Sequence, residues 1–172
     1  FNTHPPETMS DYGKAIEGLN RPLISHEVGQ WTVFPDLSES HRYSGVLRNH
    51  NYDLFREHLR EKGMLEQAAD FTQASGRLSV ELYKEEIESA LRTPGFGGFQ
   101  LLDLHDYPGQ GVATVGILNA FWESKGLIDA ARFREFCGPI VPLARMPKRI
   151  YTQSEPFVVQ VDVANHSPAC LR

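Results

Sequence analysis

Two short apolar runs, each ending abruptly in acids and histidines, limit what this chain can fold into. The first is Leu23-Ile24, which follows Arg21-Pro22 and runs into Ser25-His26-Glu27. The second is Phe99–Leu104, entered through Gly97-Gly98 and left through His105-Asp106. Between them lie segments of helical spacing. Leu54, Phe55, His58 and Leu59 form one, closed by Gly63; Leu65, Ala68, Ala69, Phe71 and Thr72 form another, up to Ser75-Gly76; Val80, Tyr83, Ile87, Ala90 and Leu91 form the strongest, over Leu78–Arg92. Two strands separated by helices need a crossover connection, and a crossover makes them parallel. In parallel α/β architectures ligand chemistry gathers at the C-terminal ends of the strands. His26-Glu27 and Asp103/His105/Asp106 are therefore predicted to share one rim.

The rest of the chain is read around that unit. Ser10-Asp11 can cap a short helix ending near Gly18, and Leu23–Ser25 reads as a buried strand. Residues 28–45 show no sustained period and read as a long loop, a kind of segment that often carries function. Glu81, Lys84, Glu85 and Glu88 mark the predicted solvated face of the third helix, which Thr93-Pro94-Gly95 terminates. Asp129 caps a predicted helix through Phe136, stopped by Gly138-Pro139. From Arg149 the pattern changes to period two, with Phe157, Val159, Val161 and Val163 on one face of a half-buried strand. A boundary near 145–150 is expected, with the tail entering an all-β module.

Composition removes several function classes. The 172 residues carry a net charge of −5 with no basic stripe, which argues against a nucleic-acid partner. No apolar run approaches the roughly 18 residues of a membrane span. Cys137 and Cys170 lie far apart, match no metal-binding spacing, and read as two unpaired thiols. The chain begins at Phe1, and the expectation is that it is a piece of something longer.

Glu27 at a strand tip suits a nucleophilic carboxylate, with Asp103 and Asp106 as partners or as acceptors for sugar hydroxyls, and Trp31 and Trp122 as apolar faces for a pyranose ring. The alternative for Glu27 is a loop-start carboxylate paired with an arginine. His26, Glu27, His105 and Asp106 are metal-ligand types, yet their spacing matches no metal motif. Ser25 and His26 point to opposite sides of a strand, and no G-x-S-x-G elbow exists, so a serine triad is disfavoured. The glycines of "GFGG" precede a strand and cannot offer phosphate a helix N-terminus; "YPGQG" at 107–111 follows one and is the better ligand loop, but lacks the phosphate-binding lysine.

The stretches "RPLISHEVGQW", "GGFQLLDLHDYPGQG", "VGILNAFWESKG" and "VDVAN", in that order, resemble the C-terminal part of the catalytic barrel in family 2 glycoside hydrolases, the β-galactosidase and β-glucuronidase group. The resemblance implies an α/β fold: a partial (β/α)8 TIM barrel, about its last two βα units, over residues 1–147, then β-sandwich strands over 148–172. It implies that Leu23–Glu27 is barrel strand seven, with Glu27 the catalytic nucleophile of a retaining β-glycosidase, and that Phe99–Leu104 is strand eight. His26, Gln30, Trp31, Asp103, His105, Asp106, Gln110 and Trp122 become candidate substrate-binding residues. No metal and no cofactor are implied. The implied partners are a carbohydrate substrate and either the remainder of the parent chain or further copies of this one; a periplasmic or secreted setting follows from the same resemblance. Two departures stand out. No Asn-Glu dipeptide supplies the family's general acid/base, which is expected upstream of Phe1, and strand eight reads Gln100-Leu101-Leu102-Asp103 where the family usually has a tryptophan. The isolated chain is accordingly expected to be inactive as a glycosidase. The alternatives are a carbohydrate-binding protein on a glycosidase scaffold and a metal-dependent hydrolase using His26, Glu27 and His105.

Overall fold

The computed structural model describes residues 5–107 and 113–168; Gln110, most of the "YPGQG" loop and Cys170 lie outside the described residues. In chain order the helices and strands are α1 (Gly13–Ile16), β1 (Ile24–Val28), α2 (His50–Glu61), α3 (Ala68–Leu91), β2 (Gly98–Leu101), α4 (Ala130–Phe136), β3 (Ile140–Arg145) and β4 (Gln160–Asn165). Among the described residues, β1 pairs with β2 and β3 with β4. Internal packing divides the chain into two units. One is drawn from Phe1–His26, Lys84–Gln100 and Ala130–Arg172, the other from Glu27–Tyr83 and Leu101–Asp129.

The pairing of β1 with β2 is parallel. Gly97 N donates to Leu23 O at 2.7 Å and Leu102 N to Val28 O at 2.8 Å, so both strands advance by five residues in the same direction. The first run differs from the buried strand expected of it. Leu23 and Ile24 are exposed, Ile24 at 55%, and of β1 only Val28 is buried. Among the described residues β1 pairs with β2 alone, and Ile24 stays exposed on this two-stranded sheet.

In the first unit, Val141, Leu143 and Ile87 are fully buried. Strand β3 runs antiparallel to β4, with Val141 opposite Ala164 and Leu143 opposite Asp162. The regular strand begins at Gln160, later than the alternation suggests, and its faces are reversed: Val161 and Val163 are exposed, while Asp162 and Ala164 are half-buried. Arg145 explains the reversal, because its Nε donates to Asp162 at 2.5 Å and turns that carboxylate inward. The acidic face of the third predicted helix is a second correction. Glu85 and Glu88 are buried, because the fully buried Arg92 guanidinium bonds both, and Arg149 adds a contact to Glu85 at 3.1 Å. The 3.6-residue period places these glutamates opposite the apolar stripe and Arg92 in line with them; it does not reveal that Arg92 is buried and takes both carboxylates in with it.

The second unit is organised on Leu37, Tyr52 and Leu59, with Phe34, Tyr43, Met64, Leu65 and Phe71 packed around them. Ser75-Gly76 does not break the helix. α3 runs unbroken over 24 residues, because Gly76 serves close packing instead: a β-carbon there would meet Leu127 Cδ2 at 2.3 Å. The Ser75 hydroxyl donates to Phe71 O at 2.6 Å within the helix and accepts from Phe34 N at 2.8 Å, which ties the long loop to α3.

Candidate active site

One side chain ties together three segments of the second unit that border the predicted rim residues. Tyr83, on α3, is fully buried. Its hydroxyl lies 2.7 Å from Val115 O and 3.2 Å from Asp103 O, and donates into that pair of carbonyls. Its ring occupies the space over Gly29, where a β-carbon would fall 2.0 Å from Cε1, and Gly29 itself has φ +94°. One tyrosine thus holds the segment just past Glu27, the segment just past β2 and a third at Val115. Tyr83 was legible only as a core position of the helix; nothing in its spacing announced the hydroxyl's role.

Glu27 is exposed and next to last in β1, just before the buried Val28, with φ +59°. Gln30 Nε2 donates to its Oε2 at 3.0 Å and lies 3.4 Å from its carbonyl oxygen, so the Val28-Gly29 turn folds back on the carboxylate. His26, exposed on the same strand, ends the first of the three chain segments that make up the other unit. Trp31 is half-buried, and its carbonyl accepts from Ser79 Oγ at 3.0 Å.

After β2 the chain carries the other candidates. The Leu102–Asp103 peptide bond is cis. Asp103 accepts from Leu104 N at 2.6 Å, and its other oxygen lies 4.0 Å from His105 Nε2. His105 Nδ1 is 2.6 Å from Asp106 O; a carbonyl can only accept, so Nδ1 carries the proton and Nε2 faces Asp103. The rings of His105 and Trp122 are 4.2 Å apart. Trp122 is 63% exposed and has φ +64°. Among the described residues, Glu27 and Trp122 are the non-glycine residues with positive φ. A bulky residue held there costs roughly 1–3 kcal/mol and persists only where its surroundings impose it.

Asp106 sits apart from this exposed group in character. It is buried, takes Lys125 Nζ at 2.6 Å and accepts from Gly116 N at 3.0 Å. Burial raises its pKa despite Lys125, and burial lowers that of Lys125 despite Asp106. Its role here is to hold the 105–106 backbone against the 116 turn. Gly116 permits this, since a β-carbon would meet the His105 carbonyl carbon at 2.2 Å. The pair borders a polar cavity of about 120 Å³ with Glu39, Thr72, Thr114 and Ser124. Among the described residues, no group of three or more His, Cys, Asp or Glu side chains converges as a metal-binding set.

Sequence reasoning missed Lys125, and it missed Arg42, Asn119 and Glu123, which brace Trp122. Each is an ordinary polar residue in a segment without a period. No family model matches the sequence, and no curated protein is significantly similar to it.

Proposed function

We propose that this chain is part of a retaining β-glycosidase in which Glu27 is the nucleophile. On this reading β1 and β2 are the last two strands of a (β/α)8 barrel and residues beyond about 147 open a β-sandwich. The observation that carries the reading is Glu27 itself: an exposed carboxylate at the tip of a parallel strand, in a costly backbone conformation, steadied by Gln30. The parallel neighbour supplies Asp103 and His105 as groups able to bind sugar hydroxyls.

The chemistry divides in two. Glu27 attacks the anomeric carbon as the leaving oxygen departs, protonated by a second carboxylic acid; the covalent glycosyl ester is then hydrolysed by water, which that second group deprotonates. Retention requires the two carboxyl groups about 5–5.5 Å apart. The second carboxyl is proposed to come from a segment preceding this chain. Gln30 holds one oxygen of the Glu27 carboxylate in place.

The test uses the product of the complete reading frame with 4-nitrophenyl β-glycosides. Glu27→Gln is expected to lower kcat by about a thousandfold or more, as loss of a covalent nucleophile does. An unchanged rate removes Glu27 from the mechanism. Binding of glycosides by the unsubstituted protein without any turnover would favour a carbohydrate-binding protein on the same scaffold.

A further inference from the structure

The segment Asn119–Glu123 is a turn closed on itself several times over. Asn119 N donates to Glu123 O at 2.8 Å and Trp122 N to Asn119 O at 3.0 Å. The Asn119 side-chain oxygen accepts from Phe121 N at 3.0 Å and Glu123 N at 2.9 Å, while its Nδ2 donates to Glu39 Oε1 at 2.6 Å. From outside, Arg42 grips the Glu123 carboxylate with both terminal nitrogens, one at 2.9 Å, and its guanidinium lies 3.8 Å over the Phe121 ring. Two further bonds, Leu118 N to Leu104 O at 3.0 Å and Asp106 N to Leu118 O at 2.9 Å, fasten the turn on either side of His105.

The braced turn leaves the Trp122 side chain 63% exposed, with Glu123 exposed beside it. A turn shaped only for stability would place glycine or asparagine at a positive φ. Here tryptophan holds that position and remains largely exposed. Its ring packs against that of His105 at a tilt of 55°, and the Asp103 carboxylate lies 4.0 Å from His105 Nε2. An aromatic platform bordered by an imidazole and a carboxylate suits a pyranose: the C–H face of the sugar stacks on the indole, and its hydroxyls donate to the carboxylate. A nucleotide could also stack, but its phosphates would meet an acidic chain and an acidic platform edge.

We propose that Asn119–Glu123 is a preset sugar-binding platform, with Trp122 the stacking residue, Asp103 the hydroxyl acceptor, and Asn119, Glu123 and Arg42 positioning residues. The ligand class rests on the glycosidase reading; the platform does not need Glu27 to be a nucleophile.

The chain has two tryptophans, Trp31 and Trp122, hence two indole N–H resonances, and Trp122→Phe assigns them. Titration of the 172-residue chain with methyl β-D-glucopyranoside, β-D-galactopyranoside and β-D-glucuronide is expected to shift the Trp122 resonance with at least one of them. Trp122→Ala should weaken that binding tenfold or more, and Trp122→Phe, which keeps a ring, by less. Glu123→Gln should weaken it about threefold and raise the fast mobility of the Trp122 indole while leaving that of Trp31 unchanged. The proposal is overturned if none of the glycosides moves the Trp122 resonance, if Trp122→Ala binds as the parent does, or if adenosine monophosphate shifts it more than every glycoside. Unchanged indole mobility in Glu123→Gln would remove the positioning roles. Full turnover by Glu27→Gln with the indole shift intact would sink the nucleophile and leave the platform standing; the reverse pattern would sink the platform alone.

Discussion

The Tyr83 ring and Gly29 are packed so closely that no other residue type fits at position 29: a β-carbon would lie 2.0 Å from Cε1 and 2.7 Å from the hydroxyl oxygen. The ring cannot yield cheaply, being fully buried and bonded through its hydroxyl. Gly29→Ala therefore combines overpacking with a positive φ, and is expected to cost about 2–4 kcal/mol by urea denaturation. Tyr83→Phe keeps the ring and loses the hydrogen bond, at about 1 kcal/mol. A Gly29→Ala midpoint equal to that of the parent would show that Tyr83 does not organise the rim.

The Asp106–Lys125 pair gives a prediction with a sign in pH. Burial raises the Asp106 pKa, so its folded value exceeds its unfolded one. Such a group favours folding when protonated, and that contribution is lost as pH rises through the folded value. Lys125→Met removes the charge that moderates the effect and leaves a buried carboxylate alone, at a cost of about 3–5 kcal/mol at pH 7. The variant should be relatively more stable near pH 4, and adding Asp106→Asn should recover most of the loss. Urea midpoints at the two pH values measure this; a single variant equally destabilised at both contradicts it.

Glu123 titrates the other way. Its hydrogen bond with Arg42, then that with Asn119, holds its pKa down to about 2. With the folded value below the unfolded, its stabilisation is complete above the ordinary glutamate range and fades as pH falls from about 4.5 toward 2. The difference in Tm between the parent and Glu123→Gln should be constant from pH 5 to 7 and shrink below that. A difference independent of pH down to 3 would mean that the ion pair does not brace the turn.

What the sequence disclosed depended on whether a residue's role follows from chain-local pattern. Glu27 and the Asp103–Asp106 cluster could be marked because an apolar run ending in charge is visible in one dimension. The helix over residues 78–91 showed its stripe for the same reason. Glu85 and Glu88 looked like a solvated face although Arg92, four residues past Glu88 and seven past Glu85, stood in reach on the same predicted helix; what one dimension hid is that Arg92 is itself buried and that Arg149, far along the chain, joins Glu85. Gly76 looked like a stop because glycine has two uses, and only the position of Leu127 shows which one applies. Trp122 was visible as bulk; its left-handed backbone and the Asn119, Glu123 and Arg42 bracing are tertiary facts with no periodic trace.

The isolated 172-residue chain is expected to leave aryl β-glycosides intact, since one carboxylate cannot serve as both acid and nucleophile. Robust hydrolysis by this chain alone would contradict the proposed division of the two carboxyl groups.

The most direct test of the central claim is covalent trapping. A 2-deoxy-2-fluoro-β-glycosyl fluoride matched to whichever sugar the complete reading frame's product hydrolyses should inactivate that product with time. Peptide mapping by mass spectrometry should then place the sugar on Glu27, in the stretch Pro22–Trp31. Trapping on another carboxylate, or hydrolysis that inverts the anomeric centre and leaves no adduct, would contradict the account.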